Sequence, residues 1–530
     1  MKRSILLTVL LVLCAGLVSA KVKLPAIFSS GMVLQREMNV PVWGWATPGE
    51  KVVITASWDA QASAVADKDG NWKTTLKTPK AGGPFKVIVK GENSITLDNV
   101  MSGEVWLCSG QSNMEMSVRG VTDADKEIAA ANYPNIRLFN VRKVSSQKKL
   151  NNCTASWQPC SPRSVRNFSA AGYFFGRDVY KELKDVPVGL IEASWGGTCI
   201  EAWTPWEVQK DDTFAIKRKE SLDKKSAVYN EAAAKEEFKK AMAEWNRKNE
   251  LWKRTKRQGR APRRPKLKKE PKLSQNYPGN LYRGMIAPIE GYAIRGAIWY
   301  QGEANSHSID DAVHYRKQLE TMITSWRQIW GQGNFHFYYV QLPNFMKPWQ
   351  NPVEEKEKWP YTRESFLKAS KEIPDTGMAI TIDAGEERNI HPKNKQAVGN
   401  RLARLALNDV YKRSNIVRSG PVVKSVSEHR GKVTVTFDNG GAPLAVDGKT
   451  IEGFAIKDED GKIFKAEAKI IAPDKVELTC PGADDPVMVY YGWANNPVGI
   501  NLINKAGLPA SPFRAETVEV PSFFNLWGIL

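Results

Sequence analysis

The sequence predicts an α/β protein in which a doubly wound parallel sheet is flanked by N-terminal and C-terminal β-sandwich-like modules. Short apolar segments alternate with amphipathic helical segments over residues 101–413, whereas alternating β patterns precede and follow this region. The chain has 530 residues, which is more than one hydrophobic core usually supports. We therefore expect several domains.

Residues 1–20 have the layout of a secretory signal peptide. Two basic residues precede an apolar run over residues 5–17, and Val18-Ser19-Ala20 supplies the small residues of a cleavage site. The mature protein is thus expected to start near Lys21 and to be exported, either periplasmic or secreted. No later apolar stretch is long enough to span a bilayer, so we expect no integral membrane segment in the mature chain.

Two regions show the alternation of half-buried β-strands. In residues 21–100, the predicted N-terminal β domain, the strand segments are "KVVITASW", "DKDGNWKTTL" and "PFKVIVKG". In residues 414–530, the predicted C-terminal β domain, they are "GKVTVTF", "IEGFAIKD", "DKVELTC" and "VMVYYGWA". Turn residues separate the segments in both regions, which favours sandwich-like modules.

Residues 101–413 are predicted to form the α/β domain. Its strand candidates are apolar on both faces, as in a buried parallel sheet, and they are "EVWLCS", "VPVGLIEAS", "AIRGAIWY", "FHFYYVQL" and "MAITIDA". Amphipathic helices are expected between them, at about residues 169–183, after Asp310-Asp311, and around residues 398–406.

A basic helical insert near residues 209–272 interrupts this domain. Residues 247–272 contain 13 Lys and Arg residues against two glutamates, which concentrates much of the chain's net charge of +19. A solvated helical hairpin or loop is the simplest interpretation, and docking on an acidic glycan or anionic surface is the alternative. The basic stretch 253–272 lacks interleaved aromatic residues, and the insert contains no recognised nucleic-acid module, so no nucleic-acid partner is expected.

Five cysteines follow the predicted signal peptide, and none has metal-type spacing. Cys153 and Cys160 are close enough in sequence to form a local disulfide, and buried free thiols are the equal alternative. No cluster of metal-type ligands occurs, so we expect no metal and no organic cofactor.

Polar residues with a use in acyl transfer follow four of the predicted strands. They lie in "GQSNM" with Ser112, "SWGGT" with Gly196-Gly197, "QGEAN" with Asn305 and "DAGEERNIHP" with His391. Ligand sites in open α/β sheets form at the carboxyl ends of strands. A serine at a strand-to-helix turn is also a common helix cap, but the ordered series of four segments favours a catalytic site.

Each of these residue types has a chemical role. A backbone N–H at a helix start, a glycine N–H and an asparagine amide can stabilise an oxyanion, while a histidine makes a neutral serine nucleophilic. The chain has five histidines, of which His314, His336 and His429 fall inside a helix, a strand and the terminal β region. His391 and His307 are therefore the candidate bases, and His307 is alternatively a substrate contact.

These motifs resemble the four blocks of SGNH hydrolases, and "GQSNM", "QGEAN", "IHP..K" and "LYRGMIAP" are similar to the sialate O-acetylesterase branch in particular. The resemblance implies an SGNH-hydrolase-like fold with Ser112 as the nucleophile and His391 as the general base. It also implies an oxyanion hole formed by Gly197, Asn305 and the Ser112 amide.

The third member of the triad is less defined, because Arg388 stands where many SGNH enzymes have an acid. Asp383 is the first choice, since family members tend to have an aspartate at the corresponding place. Glu386 and Glu387 are alternatives, and so is a serine–histidine dyad oriented by a backbone carbonyl.

The resulting expectation is an exported carbohydrate O-acetylesterase, with O-acetylated sialic acid as the substrate that the resemblance implies. Substrate contacts are expected from four residues near the motifs, Gln111, Gln301, Glu303 and His307. An esterase for acetylated xylan or another acetylated polysaccharide is the alternative, and a non-catalytic glycan-binding protein is an alternative of another class. No pattern in the sequence indicates an oligomeric state.

Overall fold

A computed structural model of the chain describes residues 21–519, except 185, 256, 258, 430, 431 and 484. The predicted signal peptide lies outside the described residues. The structure is a mixed α/β protein, as the sequence predicts, with one large central sheet. Additional β-strands come from the segments that precede and follow the α/β part of the chain. Among the described residues, no helix combines the length and apolarity needed to cross a membrane.

The N-terminal strands pair mostly in antiparallel fashion. They are β1 (Val33–Gln35), β2 (Asn39–Trp45), β3 (Lys51–Ala56), β4 (Gln61–Val65), β5 (Asn71–Lys77), β6 (Gly82–Lys90) and β7 (Ser94–Gly110). In β2 and β3, alternate residues are buried, as the sequence pattern predicts for strands with one face on a core. β2 pairs with β5, while β3 pairs with β4 and β6.

Strand β7 connects this region to the central sheet. Its first half pairs antiparallel with β6, and β1 pairs with it in parallel at residues 101–103. Its second half, residues 104–110, is buried and lies at the centre of the parallel sheet. The strand therefore crosses residue 100, the predicted end of the N-terminal domain, and the domain limits as such stay a prediction.

The central sheet has the strand order β13-β12-β11-β7-β10-β8-β9. Its further strands are β8 (Tyr133–Asn140), β9 (Trp157–Cys160), β10 (Val188–Ser194), β11 (Gly296–Tyr300), β12 (His336–Val340) and β13 (Thr376–Ala379). Strands β13 to β8 in this order run parallel, and β9 is antiparallel to β8. Because the chain adds strands first on one side of β7 and then on the other, a crevice forms at the carboxyl ends of the central strands.

Ten helices of the described residues surround or extend this sheet. They are α1 (Ser112–Glu115), α2 (Ala124–Ala130), α3 (Pro162–Val165), α4 (Ala170–Glu182), α5 (Trp206–Gln209), α6 (Thr213–Ala227), α7 (Glu231–Arg254), α8 (Ile309–Trp330), α9 (Trp359–Glu372) and α10 (Lys395–Asp409). Helices α4, α8 and α10 are those that the sequence predicts. Helices α6 and α7 form the basic insert, and the described residues of the segment 255–270 that follows are in neither helix nor strand.

The C-terminal strands form a five-stranded sheet, a four-stranded sheet and a short pair within the described residues. They are β14 (Val422–His429), β15 (Lys432–Asp438), β16 (Leu444–Val446), β17 (Phe454–Asp458), β18 (Ile463–Lys465), β19 (Glu467–Ala472), β20 (Lys475–Thr479), β21 (Pro486–Tyr491), β22 (Leu502–Asn504), β23 (Phe513–Glu516) and β24 (Val518–Glu519).

A buried arginine fastens this C-terminal region to the α/β part. Arg363 in α9 donates hydrogen bonds to the carbonyls of Leu342 and Pro343 and to those of Ala494 and Asn495, at 2.6–2.9 Å. Burial lowers the pKa of its guanidinium to about 9. The four carbonyls satisfy the buried donors, and they tie the two parts of the chain to one side chain.

The five cysteines of the described residues carry free thiols, including Cys153 and Cys160. The predicted alternative of a disulfide between these two is thus not adopted. Burial raises the pKa of Cys153 to about 11 and that of Cys160 to about 12, which disfavours the reactive thiolate at neutral pH.

Candidate active site

The carboxyl ends of three central strands meet in one register. Gly110 at the end of β7 pairs with Ser194 of β10 and with Tyr300 of β11. A β-carbon on Gly110 would lie 2.2 Å from the Tyr300 carbonyl oxygen, so this approach requires glycine. The predicted site residues of the first three motifs lie on the segments that leave these strand ends.

Ser112 is the first residue of α1, and Gln111 takes the N-cap position. The serine therefore does not act as the helix cap, which was the simplest interpretation of this residue alone. Its side chain is half-buried, and its hydroxyl has no hydrogen-bond partner among the described residues. Its amide lies in the first helical turn, where N–H groups have no acceptor within the helix.

His391 lies in the loop that connects β13 to α10, and two side chains hold this loop. Asn113, next to Ser112, donates from Nδ2 to the Ile390 carbonyl at 3.0 Å. Lys395 donates from Nζ to the Pro392 carbonyl and to Asn113 Oδ1, both at 2.7 Å. The loop that contains His391 is thereby held against the helix that begins at Ser112.

The charges around His391 act in opposite directions on its pKa. Burial lowers this pKa, the Lys395 ammonium lowers it further, and the Glu115 carboxylate opposes both. Burial lowers the pKa of Lys395 to about 7, although the Glu303 and Glu386 carboxylates oppose the shift. The imidazole itself makes no hydrogen bond to another described residue, so it is free to approach a serine hydroxyl or a water molecule.

Glu303, a predicted substrate contact, lies beneath this network. Its Oε1 accepts a hydrogen bond from Asn113 Nδ2 at 2.5 Å, and its Oε2 is buried without a partner among the described residues. Burial raises its pKa, because the carboxylate form loses hydration. The side chain thus orients Asn113 directly.

Glu115 accepts a hydrogen bond from a backbone amide close to Ser112, that of Gly196. Its Oε2 accepts a hydrogen bond from the Gly196 N–H at 2.5 Å, and its other oxygen pairs with Lys143. A β-carbon on Gly196 would lie 3.1 Å from the Ser112 Cβ, so this amide is adjacent to the nucleophile candidate. A substrate oxygen that uses the Gly196 N–H must displace the carboxylate. The neighbouring Gly197 has a φ of +70°, a backbone conformation that favours glycine.

Asn305 is buried, and its amide group is fully used within the protein. Its Oδ1 accepts hydrogen bonds from the Ile200 N–H at 3.0 Å and from Gln301 Nε2 at 2.8 Å. Its Nδ2 donates to Glu201 at 3.0 Å and to Gln318 at 3.3 Å. Asn305 thus fixes the turn that follows the glycine pair, and donation to an oxyanion requires one of the two Nδ2 bonds to break.

Two of the predicted acids pair with arginines. Asp383 accepts two hydrogen bonds from Arg401 of α10, at 2.5 and 2.6 Å, and its side chain is 47% exposed. Glu387 is exposed and lies 3.5 Å from Arg388. Neither carboxylate forms a hydrogen bond with His391 among the described residues.

Glu386, the third predicted acid, closes the loop that contains His391. Its carboxylate accepts hydrogen bonds from the Lys393 N–H at 2.7 Å and from Asn389 Nδ2 at 3.0 Å. Burial raises its pKa, but these hydrogen bonds and nearby lysines lower it overall. These two hydrogen bonds tie the carboxylate to its own loop, and its role as an alternative triad acid stays a prediction.

The remaining predicted contacts differ in accessibility. Gln111 is buried and accepts a hydrogen bond from the Ala304 N–H at 3.3 Å. Gln301 is buried and donates to the Thr198 carbonyl at 3.1 Å. His307 is exposed. Of these, only His307 presents its side chain to solvent, where a bound glycan could reach it.

Sequence reasoning did not single out four residues of this site. Asn113 lies inside "GQSNM", Glu115 directly follows this motif, and Lys395 is the lysine of "IHP..K", so these motifs are the available signals. Lys143 lies outside all of these motifs, and its surrounding sequence is typical of a solvent-exposed segment, so no signal points to it. Within the described residues, no group of three or more His, Cys, Asp or Glu side chains is arranged to hold a metal ion.

Comparison with known proteins identifies the family. The family model of carbohydrate esterases that are sialic acid-specific acetylesterases matches residues 102–254 and 268–408. The sialate O-acetylesterase of Mus musculus is 29% identical over 529 residues, which span 92% of each chain. The sialate O-acetylesterase of Homo sapiens is 25% identical over 526 residues, which span 92% of this chain and 91% of the relative.

A solved structure supports the same conclusion. A carbohydrate acetylesterase from Xanthomonas citri superimposes with a TM-score of 0.76 and 32% identity, and the match covers 93% of this chain and 99% of that protein. The prediction of an esterase is confirmed. The chain belongs to the carbohydrate esterase family of sialic acid-specific acetylesterases.

Proposed function

We propose that this esterase is an exported carbohydrate O-acetylesterase that removes O-acetyl groups from sialic acids through a serine acetyl-enzyme. The observation that carries the proposal is the 3.0 Å hydrogen bond from Asn113 to the Ile390 carbonyl, because it joins the segments of Ser112 and His391. The family and the names of its relatives support an acetylated sugar, and sialic acid in particular, as the substrate class.

In the acylation step, His391 takes the proton of the Ser112 hydroxyl while Oγ attacks the acetyl carbonyl carbon. The carbonyl electron pair moves onto the oxygen, which the amides of Ser112 and Gly197 stabilise, with Asn305 as the third predicted donor. The intermediate then breaks its bond to the sugar oxygen, which leaves with the proton from His391. The product on the enzyme is an acetyl ester of Ser112.

In the deacylation step, His391 takes a proton from a water molecule that attacks the acetyl ester. The second tetrahedral intermediate releases acetate, and Ser112 Oγ regains the proton from the imidazolium. The lowered pKa of His391 favours this role, because the imidazole is then neutral and able to accept a proton near neutral pH.

A triad needs an acidic side chain that orients the His391 imidazole. The contacts of the predicted acids favour a serine–histidine dyad instead. Asp383 pairs with Arg401, and Glu386 accepts hydrogen bonds from its own loop. The role of Asp383 as the triad acid therefore stays a prediction, which substitution of the acids tests below.

The test of the mechanism is release of acetate from a small aryl acetate by the purified protein. We expect Ser112→Ala to lower kcat/KM at least about a thousandfold, the scale of a lost triad member. Ser117→Ala is the matched control. It removes a hydroxyl from the same segment, and this hydroxyl makes no helix-capping hydrogen bond. Activity of Ser112→Ala equal to that of the control would refute the nucleophile assignment.

The substrate is tested by a panel of acetylated glycans. Acetate release from O-acetylated sialic acid but not from acetylated xylan supports the proposal, and the reverse result supports the polysaccharide esterase. Binding of both glycans without any acetate release would support the non-catalytic alternative. Export is tested by mass spectrometry of the mature chain, which we expect to start near Lys21.

A further inference from the structure

The basic arm, defined as residues 259–269, concentrates positive charge in a short segment of the insert. Its 11 residues include six Lys or Arg residues and no acidic residue. Lys268 pairs with Glu237 of α7 at 2.8 Å. The other five, Arg260, Arg263, Arg264, Lys266 and Lys269, form no ion pair with a carboxylate of the described residues.

The arm has no helix or strand, but α7 holds it in place. The indole N–H of Trp245 donates to the Pro262 carbonyl at 2.9 Å, and that of Trp252 donates to the Gly259 carbonyl at 3.2 Å. The guanidinium of Arg264 lies 5.6 Å from the centre of the Trp245 ring, within the range of a cation–π contact. The positive charges are therefore displayed on a defined backbone.

The acidic residues of α7 do not neutralise the arm. Glu231 pairs with Lys235, Glu244 pairs with Arg247, and Glu250 pairs with Lys253, each on the same helix. Apart from the Lys268 pair, the unpaired cations of the arm need counter-ions from outside the described residues. A polyanion that contacts several of these cations at once gains more binding free energy than separate small anions do, because the cations are already positioned.

The arm also leads directly into the candidate active site. Gln275, six residues after Lys269, donates to the Gly196 carbonyl at 2.9 Å, and Asn276 donates to the Gly197 carbonyl at 3.0 Å. A chain of six residues spans at most about 20 Å, so the end of the arm lies within that distance of the Gln275 backbone, whose side chain contacts the glycine pair. The family match covers residues 102–254 and 268–408, so most of the arm lies outside the matched residues.

We propose that the basic arm binds a carboxylated glycan chain and holds it beside the esterase site. The choice of a carboxylated polymer rests on the proposed function, since every sialic acid unit carries a carboxylate. Arginine suits this partner because its planar guanidinium can donate two hydrogen bonds to one carboxylate. A polymer bound at the arm would present its acetylated units to Ser112 repeatedly.

The test uses the full chain and polysialic acid without acetyl groups as the probe. The arm variant combines Arg260→Gln, Arg263→Gln, Lys266→Gln and Lys269→Gln, which leaves Arg264 on Trp245. The control variant removes four exposed lysines of the C-terminal region, Lys449→Gln, Lys469→Gln, Lys475→Gln and Lys505→Gln, and so has the same net charge.

We expect the arm variant to bind polysialic acid at least about tenfold more weakly at low salt, with a smaller salt dependence, while the control variant binds like the natural protein. Its kcat/KM for a neutral aryl acetate should equal that of the natural protein, which also shows that the variant is folded. On acetylated polysialic acid, KM should rise and kcat should not change.

Equal binding of polysialic acid by the arm variant and the natural protein would overturn the proposal. So would binding of the natural protein to phosphatidylglycerol vesicles or DNA but not to polysialic acid. Because the probe has no ester, loss of the esterase hypothesis would leave this binding result intact. Conversely, acetate release without polymer binding would overturn the role of the arm alone.

Discussion

The substitution Lys395→Met tests how a buried ammonium positions the catalytic base. Methionine retains the length and apolar stem of the side chain but removes the charge and the donors to Asn113 and to the Pro392 carbonyl. Because these bonds fix the loop next to His391, we expect kcat to fall about 10- to 100-fold, as a loss of orientation does.

The expected change in stability combines two opposite contributions. Two buried acceptors lose their partner, which costs about 1–3 kcal/mol each. Against this, the pKa of Lys395 falls from 10.5 to about 7 on folding, so the charged ammonium destabilises the native state by about 5 kcal/mol below pH 7. At about pH 6 these contributions oppose each other, so the unfolding free energies of Lys395→Met and the natural protein should differ by no more than about 3 kcal/mol.

The same pKa makes the difference between the two proteins depend on pH. Above pH 7, native Lys395 loses its proton, whereas the unfolded chain retains it up to pH 10.5. The unfolded state then binds more protons, so the stability of the natural protein rises with pH in this window. Relative to Lys395→Met, it should gain about 3 kcal/mol between about pH 6 and about pH 9.5.

Two assays measure these effects. Guanidinium denaturation followed by tryptophan fluorescence gives the stability difference at both pH values, and aryl acetate hydrolysis gives kcat and the pH profile. Removal of the ammonium should raise the pKa of His391 and move the acidic limb of kcat/KM to higher pH, because Lys395 lowers that pKa. Lys393→Met is the matched control, since Lys393 is exposed in the same loop.

A Lys395→Met variant with the kcat and pH profile of the natural protein would show that Lys395 does not position His391. A stability difference that is the same at both pH values would show that folding does not lower the pKa of Lys395.

Three further substitutions test other parts of the site. Glu115→Gln should move the acidic limb of kcat/KM to lower pH, opposite to Lys395→Met, because the Glu115 carboxylate raises the pKa of His391; an unchanged profile would exclude this coupling. Gly196→Ala should lower kcat/KM for an aryl acetate at least about tenfold, because its β-carbon would lie 3.1 Å from the Ser112 Cβ; full activity would show that the glycine is dispensable. Asp383→Asn should lower kcat/KM less than about tenfold, and a loss near ten-thousandfold in a folded variant would restore Asp383 as the triad acid.

Much of the fold follows from patterns within single elements. The five predicted strands of the α/β region correspond to β7, β10, β11, β12 and β13, whose apolar runs are easy to recognise. Strands β8 and β9 were missed, because they contain prolines and polar residues and are defined by pairing with their neighbours. Helix α9 was also missed, since its buried Arg363 resembles a surface residue until its four carbonyl partners are known.

The candidate site was accessible from sequence for a different reason. Ser112, Gly197 and His391 follow strands that end at the same edge, so motif order and sheet topology place them together. The sequence could not show that both amide hydrogens of Asn305 are already donated, or that Asp383 faces Arg401. Those partners lie far away along the chain, and only the assembled structure determines them.

The length of β7 constrains how this protein can be divided or recombined. One continuous strand, Ser94–Gly110, is an edge partner of β6 at its start and the central strand of the parallel sheet at its end. A graft that exchanges the N-terminal module must therefore either cut inside a strand or carry the approach to Ser112 with it. The N-terminal strands are thus not a portable unit.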